Sequence, residues 1–305
     1  MEFADKLEKL LPEGQVLFHE PMGRHTTFQV GGEADYFVQP MERQVAPVIR
    51  LCREEGVPFQ VVGNGSNLLV SDKGYRGLIL AIGANMGQME LEGSVLTAQA
   101  GAMLSSAAAL ARREGKSGLE FASGIPGTIG GALYMNARAY GGEMKDLVKE
   151  VHAVTRDGRP VVYTAETYAG GYRTSVVRRD GAIVLSASFA LKEGTVEEIT
   201  ARMQELRRRR QEKQPLEYPS AGSTFKRPKG DYAGRLIEVS GLQGFQIGGA
   251  QVSEKHCGFV INKGGATAQD IWMLMQHVIR TVKEKQGVVL EPEVCCIGSF
   301  EDGEK

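Results

Sequence analysis

Residues 122–143 read ASGIPGTIGGALYMNARAYGGE and hold six of the chain's 39 glycines. A second glycine loop, GNGSN at residues 63–67, lies between the apolar segments VV and LLV. Glycine permits positive φ and close approach of the backbone, so several N–H groups in such a loop can converge on a diphosphate without a lysine. One loop of this kind is weak evidence, but two uncharged loops, at 63–67 and 123–131, together predict a bound dinucleotide.

Two common nucleotide-binding motifs do not fit these loops. A Rossmann fingerprint requires G-x-G-x-x-G between a strand and a helix. The first loop supplies only Gly63-x-Gly65 and runs directly into the apolar residues 68–70. A P-loop would need a GK[ST] ending, which neither loop has.

Length and composition limit the class of protein. At 305 residues the chain exceeds what one hydrophobic core usually supports, so two or three domains are expected. The formal net charge of −1 argues against broad binding to nucleic acid or membranes through overall charge. Residues 1–14 lack the apolar core of a signal peptide, and no window approaches the ~20 apolar residues of a membrane span. We therefore expect a cytoplasmic protein that binds neither membrane nor nucleic acid.

Cysteine and histidine usage predicts neither a disulfide framework nor a metal site. Two of the four cysteines, Cys295 and Cys296, are adjacent, and Cys52 and Cys257 stand alone without a CxxC pair. No two of the five histidines have metal-ligand spacing. Reduced thiols and ordinary structural histidines are the expectation.

Local patterns predict an α+β fold. Apolar spacing, capping residues and terminal glycines indicate the following elements: a helix over 43–55, a helix over 104–114, a hairpin at Asp157-Gly158, a long helix from the capping box at Thr195 to before Pro215, a helix from Thr267 to Gly287, and a final strand beginning at Val288. We expect three lobes: residues 1–82 and 83–194 as two cofactor subdomains, and 195–305 as a linking helix with a C-terminal domain.

Eight segments in a fixed order carry a resemblance to a known family. They are HTTFQVGGEADYFV, VVGNGSNLLV, ASGIPGTIGGALYMNARAYGGE, GYRTS, SAGSTFKRP, AGRLIEVSGLQG, HCGFVINKGGATAQD and LEPEVCCIG. The loop pair resembles the two-part FAD-binding domain of the vanillyl-alcohol oxidase and p-cresol methylhydroxylase superfamily. From about His25 to the last strand, the chain resembles one family within it, the UDP-N-acetylenolpyruvoylglucosamine reductases, in their shorter type. The resemblance implies a C-terminal α+β domain that binds the substrate.

The resemblance also implies the residues that hold FAD. They come from the two glycine loops and their immediate flanks: Val62, Gly63, Asn64, Gly65, Ser66, Asn67, Leu68, Ser123, Gly124, Ile125, Gly127, Thr128, Ile129 and Gly130. Some relatives in the superfamily bond the flavin covalently through histidine or cysteine. Neither loop contains either residue, so we expect non-covalent FAD.

The reaction of the family assigns chemistry to particular side chains. NADPH reduces FAD, which reduces the enolpyruvyl ether of UDP-N-acetylglucosamine enolpyruvate to a lactyl ether in peptidoglycan precursor synthesis. By motif match, Arg173 would bind the substrate carboxylate, Glu293 would stabilise the enolate-like charge, and Ser223 would deliver a proton to carbon. Lys226 is expected to contact the phosphates of the substrate.

Without the resemblance these assignments stay open. Arg173 could equally be a surface arginine, and Glu293 an outward-facing strand residue. Spacing alone does not select Ser223 over Ser220 or Thr224. The interpretation therefore depends on the motifs rather than on residue type.

Two positions depart from the expected motif. Arg138 stands where glycine is expected, and Cys295 stands where arginine is expected. Neither is among the residues assigned to chemistry, but either change could alter loop geometry or the affinity for substrate.

The sequence leaves three rival functions open. The first is another flavin oxidoreductase of the superfamily, such as an oxidase of a hydroxylated carbon. The second is a non-catalytic regulator that binds a nucleotide sugar or dinucleotide. The third, RNA binding through the arginine run 207–210, is disfavoured because that run lies in a helix with favourably spaced acids and no interleaved aromatic residues. The chain is expected to be a monomer.

Overall fold

A computed structural model describes residues 2–11 and 14–301 of the chain. Within them we number eight α-helices: α1 (Phe3–Leu10), α2 (Glu42–Glu54), α3 (Leu104–Arg113), α4 (Ile129–Met135), α5 (Val176–Asp180), α6 (Val196–Lys213), α7 (Ala233–Val239) and α8 (Ala268–Gln286). The strands are β1 (Val16–Pro21), β2 (Glu33–Val38), β3 (Phe59–Val62), β4 (Leu68–Val70), β5 (Tyr75–Ala81), β6 (Met89–Glu92), β7 (Val95–Gln99), β8 (Lys116–Ser117), β9 (Arg138–Ala139), β10 (Gly142–Glu143), β11 (Val148–Val154), β12 (Pro160–Thr164), β13 (Gly170–Gly171), β14 (Thr174–Ser175), β15 (Ile183–Ala190), β16 (Lys192–Glu193), β17 (Gln246–Ile247), β18 (Ala250–Val252), β19 (Val260–Asn262) and β20 (Cys295–Ile297). The predicted α+β class is confirmed. None of the helices in this described part is long and apolar enough to cross a membrane.

The chain divides into two compact units. The first comprises residues 1–18, 36–64 and 77–209, and the second comprises 19–35, 65–76 and 210–305. This division does not coincide with the expected boundaries after residues 82 and 194, which stay a prediction.

The first unit is built around a five-stranded sheet with strand order β12-β11-β15-β7-β6. Its neighbouring strands are antiparallel, and α4 packs against β15. The buried faces of these strands and of α2 and α3 form one continuous apolar core. A second sheet has the order β1-β2-β5-β3, and the division between the units falls within three of its strands.

The second unit has its own apolar core, formed mainly by α7, α8 and the three-stranded sheet β17-β18-β19. One face of α8 is buried and carries Ile271, Leu274, Met275, Val278 and Val282. Thr267 caps the helix by accepting a hydrogen bond from the Asp270 N–H. The helix ends at Gly287, whose φ of 69° is the left-handed conformation that glycine adopts without cost. Phe28 and Leu69, which come from the two short N-terminal segments of this unit, are fully buried in the same core.

Most of the predicted helices and turns are confirmed. Gly56 and Gly115 follow α2 and α3 with φ of 67° and 63°. The hairpin turn at Asp157-Gly158 joins β11 to β12. Thr195 caps α6, since its Oγ1 accepts the Glu198 N–H at 3.2 Å, but Glu198 bonds to the Thr195 hydroxyl rather than to its N–H, so the predicted capping box is only half formed.

The predicted final strand is present as β20, Cys295–Ile297, but its predicted start at Val288 is wrong. Pro292 has no N–H for a sheet ladder, and it forms an isolated bridge with Phe225 instead. Strand β20 then pairs in parallel with β4, with Cys295 opposite Leu68.

Candidate functional site

The two glycine loops touch each other in the first unit. The side-chain amide of Asn64, in the first loop, donates a hydrogen bond of 2.8 Å to the Pro126 carbonyl in the second. A Cβ added to Gly63 would lie only 2.6 Å from Oγ1 of Thr128. The contact therefore requires glycine at position 63, and the loops form one surface although about sixty residues separate them in sequence.

The second loop is held by α4 and by backbone bonds to the turn before α3. Thr128 is almost fully buried and caps α4, since its Oγ1 accepts the Gly131 N–H at 3.4 Å. The N–H groups of Ile129 and Gly130 donate to the carbonyls of Ala102 and Ala100, both at 2.8 Å. These contacts hold the second loop against α4 and the turn before α3.

Several backbone N–H groups of the two loops are not used by the described part of the chain. Those of Asn64, Gly124 and Gly127 donate to no acceptor among the described residues. Backbone N–H groups of this kind are the donors that bind phosphate oxygens in glycine-rich loops. The loop pair in the first unit therefore fits the diphosphate of a dinucleotide such as FAD.

The rest of the first loop belongs to the second unit and is equally constrained. Gly65 has a φ of 61°, and a Cβ there would lie 1.9 Å from the His25 carbonyl oxygen. The Asn67 side-chain amide donates to the Glu293 carbonyl at 2.9 Å. This part of the glycine loop is thus tied directly to the segment that carries a predicted catalytic residue.

Arg173 lies in the first unit, at the tip of the hairpin β13–β14. Its φ of 54° is unusual for a residue with a side chain and costs of the order of 1–3 kcal/mol. The Arg178 guanidinium donates to the Arg173 carbonyl at 2.7 Å, which supports the tip. The Arg173 guanidinium carbon lies 5.6 Å from the centre of the Tyr172 ring, and its Nε is buried. The arginine is therefore held in a defined, strained turn.

Ser223 and Glu293 lie on neighbouring segments of the second unit. The Glu293 N–H donates to the Thr224 carbonyl at 2.8 Å, and the Lys226 N–H donates to the Glu291 carbonyl at the same distance. Glu293 is half-buried, with one carboxylate oxygen, Oε2, inaccessible to solvent. The structure thus brings two of the three predicted catalytic residues together.

Thr224 is the buried link of this arrangement. It is fully buried, its N–H donates to the Gly258 carbonyl, and its Oγ1 accepts the Val260 N–H, both at 2.9 Å. The neighbouring Ser223 hydroxyl is half-buried and bonds to no residue in the described part of the chain. The environments of the two hydroxyls therefore differ, although residue spacing could not separate them.

Lys226 is partly exposed and forms an ion pair of 2.9 Å with the exposed Glu291. An exposed pair of this kind contributes about 0–1 kcal/mol, so an anionic ligand could displace it at little cost.

The two departures from the expected motif lie next to site residues. The Arg138 guanidinium carbon is 6.0 Å from the centre of the Tyr172 ring, beside the Arg173 turn. Sγ of Cys295 is 4.0 Å from the side-chain amide nitrogen of Asn67. Among residues 2–11 and 14–301, no three His, Cys, Asp or Glu side chains are grouped so that they could hold a metal ion.

Asn136, which the sequence analysis did not single out, contacts the hairpin that carries Arg173. It is fully buried and follows α4 with a φ of 44°. The available signal was local, because asparagine tolerates the left-handed conformation at a helix end. Its partner in the hairpin lies 35 residues further along the chain, and no local pattern predicts that contact.

Comparisons with known proteins agree with this geometry. A family model for the C-terminal domain of UDP-N-acetylenolpyruvoylglucosamine reductase matches residues 214–297, and one for an FAD binding domain matches residues 34–164. The chain is 49% identical to the UDP-N-acetylenolpyruvoylglucosamine reductase of Agathobacter rectalis, with 98% of this chain and 99% of that protein covered. The enzyme of the same name from Caldanaerobacter subterraneus subsp. tengcongensis is 48% identical, with 97% and 98% covered. A crystal structure of the corresponding reductase (MurB) from Thermus caldophilus matches with a TM-score of 0.78 and 36% identity, covering 92% of this chain and 97% of that one.

Proposed function

The chain belongs to the UDP-N-acetylenolpyruvoylglucosamine reductase family, and from this premise we propose that it uses NADPH to reduce UDP-N-acetylglucosamine enolpyruvate to UDP-N-acetylmuramate. Members of this family are FAD-dependent oxidoreductases, and the FAD-binding domain lies within residues 34–164. The observation that carries the proposal is the pair of mutually bonded glycine loops, with N–H groups available to a dinucleotide diphosphate. We further propose that the reaction serves peptidoglycan precursor synthesis in the cytoplasm, and that the protein acts as a monomer.

When bound, FAD would supply the hydride-transfer chemistry between NADPH and the vinyl carbon of the substrate. The donors for its diphosphate would be the N–H groups of Asn64, Gly124 and Gly127. Gly63 and Gly65 allow the loop that carries Asn64 to pack against Thr128 and His25. We propose that this FAD is non-covalent, because neither loop contains histidine or cysteine. Acid precipitation of the yellow protein should leave the colour in the supernatant, and colour retained in the pellet would contradict the proposal.

Arg173 would bind the carboxylate of the enolpyruvyl group. A guanidinium stays charged and can bind a carboxylate through two parallel hydrogen bonds. Hydride addition to the vinyl carbon places negative charge on the neighbouring carbon and its carboxylate, and a fixed cation stabilises that charge. The strained turn and the Arg178 bond to its carbonyl support a preorganised position for this residue.

Ser223 would give its hydroxyl proton to the neighbouring carbon, completing the lactyl ether, and would regain a proton from water. Its hydroxyl bonds to no described residue, whereas the Thr224 hydroxyl is buried and accepts the Val260 N–H. This difference supports Ser223 as the donor. Glu293 would stabilise the developing charge beside it, as a protonated or hydrogen-bonding group, and its backbone bond to Thr224 supports that placement. Lys226 would exchange Glu291 for a substrate phosphate.

The deciding experiment separates the two half-reactions. Under anaerobic conditions, one equivalent of NADPH should bleach the flavin absorbance, and the enolpyruvyl substrate should then restore it with formation of the lactyl ether. Ser223→Ala should retain bleaching by NADPH and form product far more slowly, because proton donation to carbon is lost.

Each half-reaction can fail separately. Bleaching without reoxidation would refute the proposed substrate and leave a flavin reductase of a different acceptor. Unchanged product formation by Ser223→Ala would remove Ser223 from the mechanism.

A further inference from the structure

We infer that Asn136 is a positioning residue that couples the flavin-binding loop to the substrate-binding arginine, Arg173. This inference rests on the proposed role of Arg173. It concerns how the fold holds that residue rather than what it binds.

The Asn136 side-chain amide uses both of its N–H donors and its oxygen within the protein. Its Nδ2 donates to the Gly171 carbonyl at 3.1 Å and to the Glu143 carboxylate at 2.9 Å, and its Oδ1 accepts the Lys145 N–H at 2.9 Å. An asparagine amide has two donors, so both are used. Because the residue has no exposed surface, no water replaces a lost bond without rearrangement.

These bonds link the end of α4 to the hairpin that carries Arg173. Gly171 is the last residue of β13, two positions before Arg173, and Asn136 ends the helix α4 that begins at the glycine loop. One short helix therefore connects the loop proposed to hold FAD with the turn proposed to hold the substrate carboxylate. Glu143, in β10, and Lys145, in the turn that follows β10, bond to the same amide.

The backbone of the hairpin β13–β14 packs against the Asn136 amide at Gly170. A Cβ built on Gly170 would lie 2.8 Å from Cγ of Asn136, so the hairpin backbone rests directly on the amide plane. Arg173 itself has a φ of 54°, a conformation that persists only when its surroundings impose it. We therefore assign to the Asn136 amide the role of imposing the strained turn.

Two variants disturb the contact from its two sides. Asn136→Gly removes the amide and still permits the positive φ. Gly170→Ala adds a methyl group against the amide, at a position whose φ is not in the left-handed region. The matched control is Tyr168→Phe, which removes a different buried hydrogen bond of 2.7 Å between the same segment and the Leu133 carbonyl of α4.

The readout is the anaerobic pair of half-reactions. We expect flavin content and the rate of flavin reduction by NADPH to stay within about twofold of wild type in all three variants. Reoxidation by the enolpyruvyl substrate should slow by about 10- to 100-fold in Asn136→Gly and Gly170→Ala, as expected for a misplaced binding group, but not in Tyr168→Phe. Combining Asn136→Gly with Arg173→Gln should be no slower than Arg173→Gln alone, because Asn136 acts through Arg173.

Hydrogen exchange of residues 170–175 provides a test that needs no substrate. Exchange should be faster in Asn136→Gly and Gly170→Ala than in wild type and Tyr168→Phe. Three results would each overturn the inference. They are unchanged hydrogen exchange in Asn136→Gly and Gly170→Ala, a double variant whose loss of reoxidation rate is the product of the two single losses, and an equal slowing of reoxidation in Tyr168→Phe. If wild type is not reoxidised by the substrate, the proposed function fails, and the exchange result alone then decides whether Asn136 holds the turn.

Discussion

Replacing Gly63 by alanine tests the contact between the two glycine loops. The φ of Gly63 is not in the left-handed region, so alanine is conformationally allowed there. Its Cβ would nevertheless lie 2.6 Å from Thr128 Oγ1, a separation that nonbonded atoms do not tolerate. Thr128 cannot rotate away freely, because the same oxygen caps α4.

The cost can be worked from that cap. If the Thr128 side chain moves, α4 loses an N-cap interaction that contributes about 1–2 kcal/mol to its stability. If the side chain stays in place, the two loops must move apart. We expect the apoprotein to relieve the clash by separating the loops, whereas bound FAD requires them together, so this cost is expressed on binding. Since 1.4 kcal/mol is tenfold in an equilibrium constant, the dissociation constant of FAD should rise by about 5- to 30-fold. FAD titration of the apoprotein, followed by flavin fluorescence, measures this directly. Gly23→Ala is the matched control, because Gly23 lies in a short 3-10 helix and a Cβ there would meet its nearest atoms at 3.6 Å, an ordinary contact distance.

A rescue experiment identifies the cause. Thr128→Ala removes the oxygen that clashes and also removes the cap, so Gly63→Ala/Thr128→Ala should bind FAD no more weakly than Thr128→Ala alone. Wild-type affinity in Gly63→Ala, or a double variant weaker than both single variants, would refute the proposed contact.

Two further predictions concern stability in the second unit. Thr224→Val leaves the buried Val260 N–H without its acceptor and should lower the free energy of unfolding, measured in urea, by about 1–3 kcal/mol. Thr224→Ser keeps the hydroxyl and should lower it less. Equal losses in the two variants would contradict the role of Oγ1. Burial lowers the pKa of His256 below 6.5 in the folded protein. As the pH falls, the imidazole of the unfolded chain is therefore protonated first, which favours unfolding. The contribution of His256 to the free energy of unfolding should be fully present above about pH 6.5 and should be lost as the pH falls towards the folded-state pKa. His256→Asn, which can retain an acceptor for the Gly258 N–H, should flatten that part of the stability–pH curve, and an unchanged slope would exclude His256 as its source.

The helix ends and caps could be predicted from the sequence because interactions between neighbouring residues determine them. The ends of α2, α3 and α8 follow from glycines that adopt positive φ, and Thr195 and Thr267 cap helices because their hydroxyl groups accept N–H bonds within three residues. These are interactions between near neighbours, and residue order alone specifies them.

The errors and omissions come from contacts between distant residues. Residues 288–294 alternate like a strand, but Pro292 and the partner segment near Phe225 prevent a continuous ladder. The importance of Asn136 depends on Gly171, and the distinction between Ser223 and Thr224 depends on Val260. The catalytic roles themselves required the resemblance to a family, because residue type and spacing left each of them open.

The segmented second unit has a consequence for synthesis of the chain on the ribosome. Phe28 and Leu69 are buried against residues that come from 210–305, so their partners are translated last. At about 5–20 residues per second, Leu69 waits roughly 10–40 s after its own synthesis before those partners emerge. The nascent chain must therefore carry two apolar segments that cannot yet be covered by their native core, and a chain that stops before α8 never covers them.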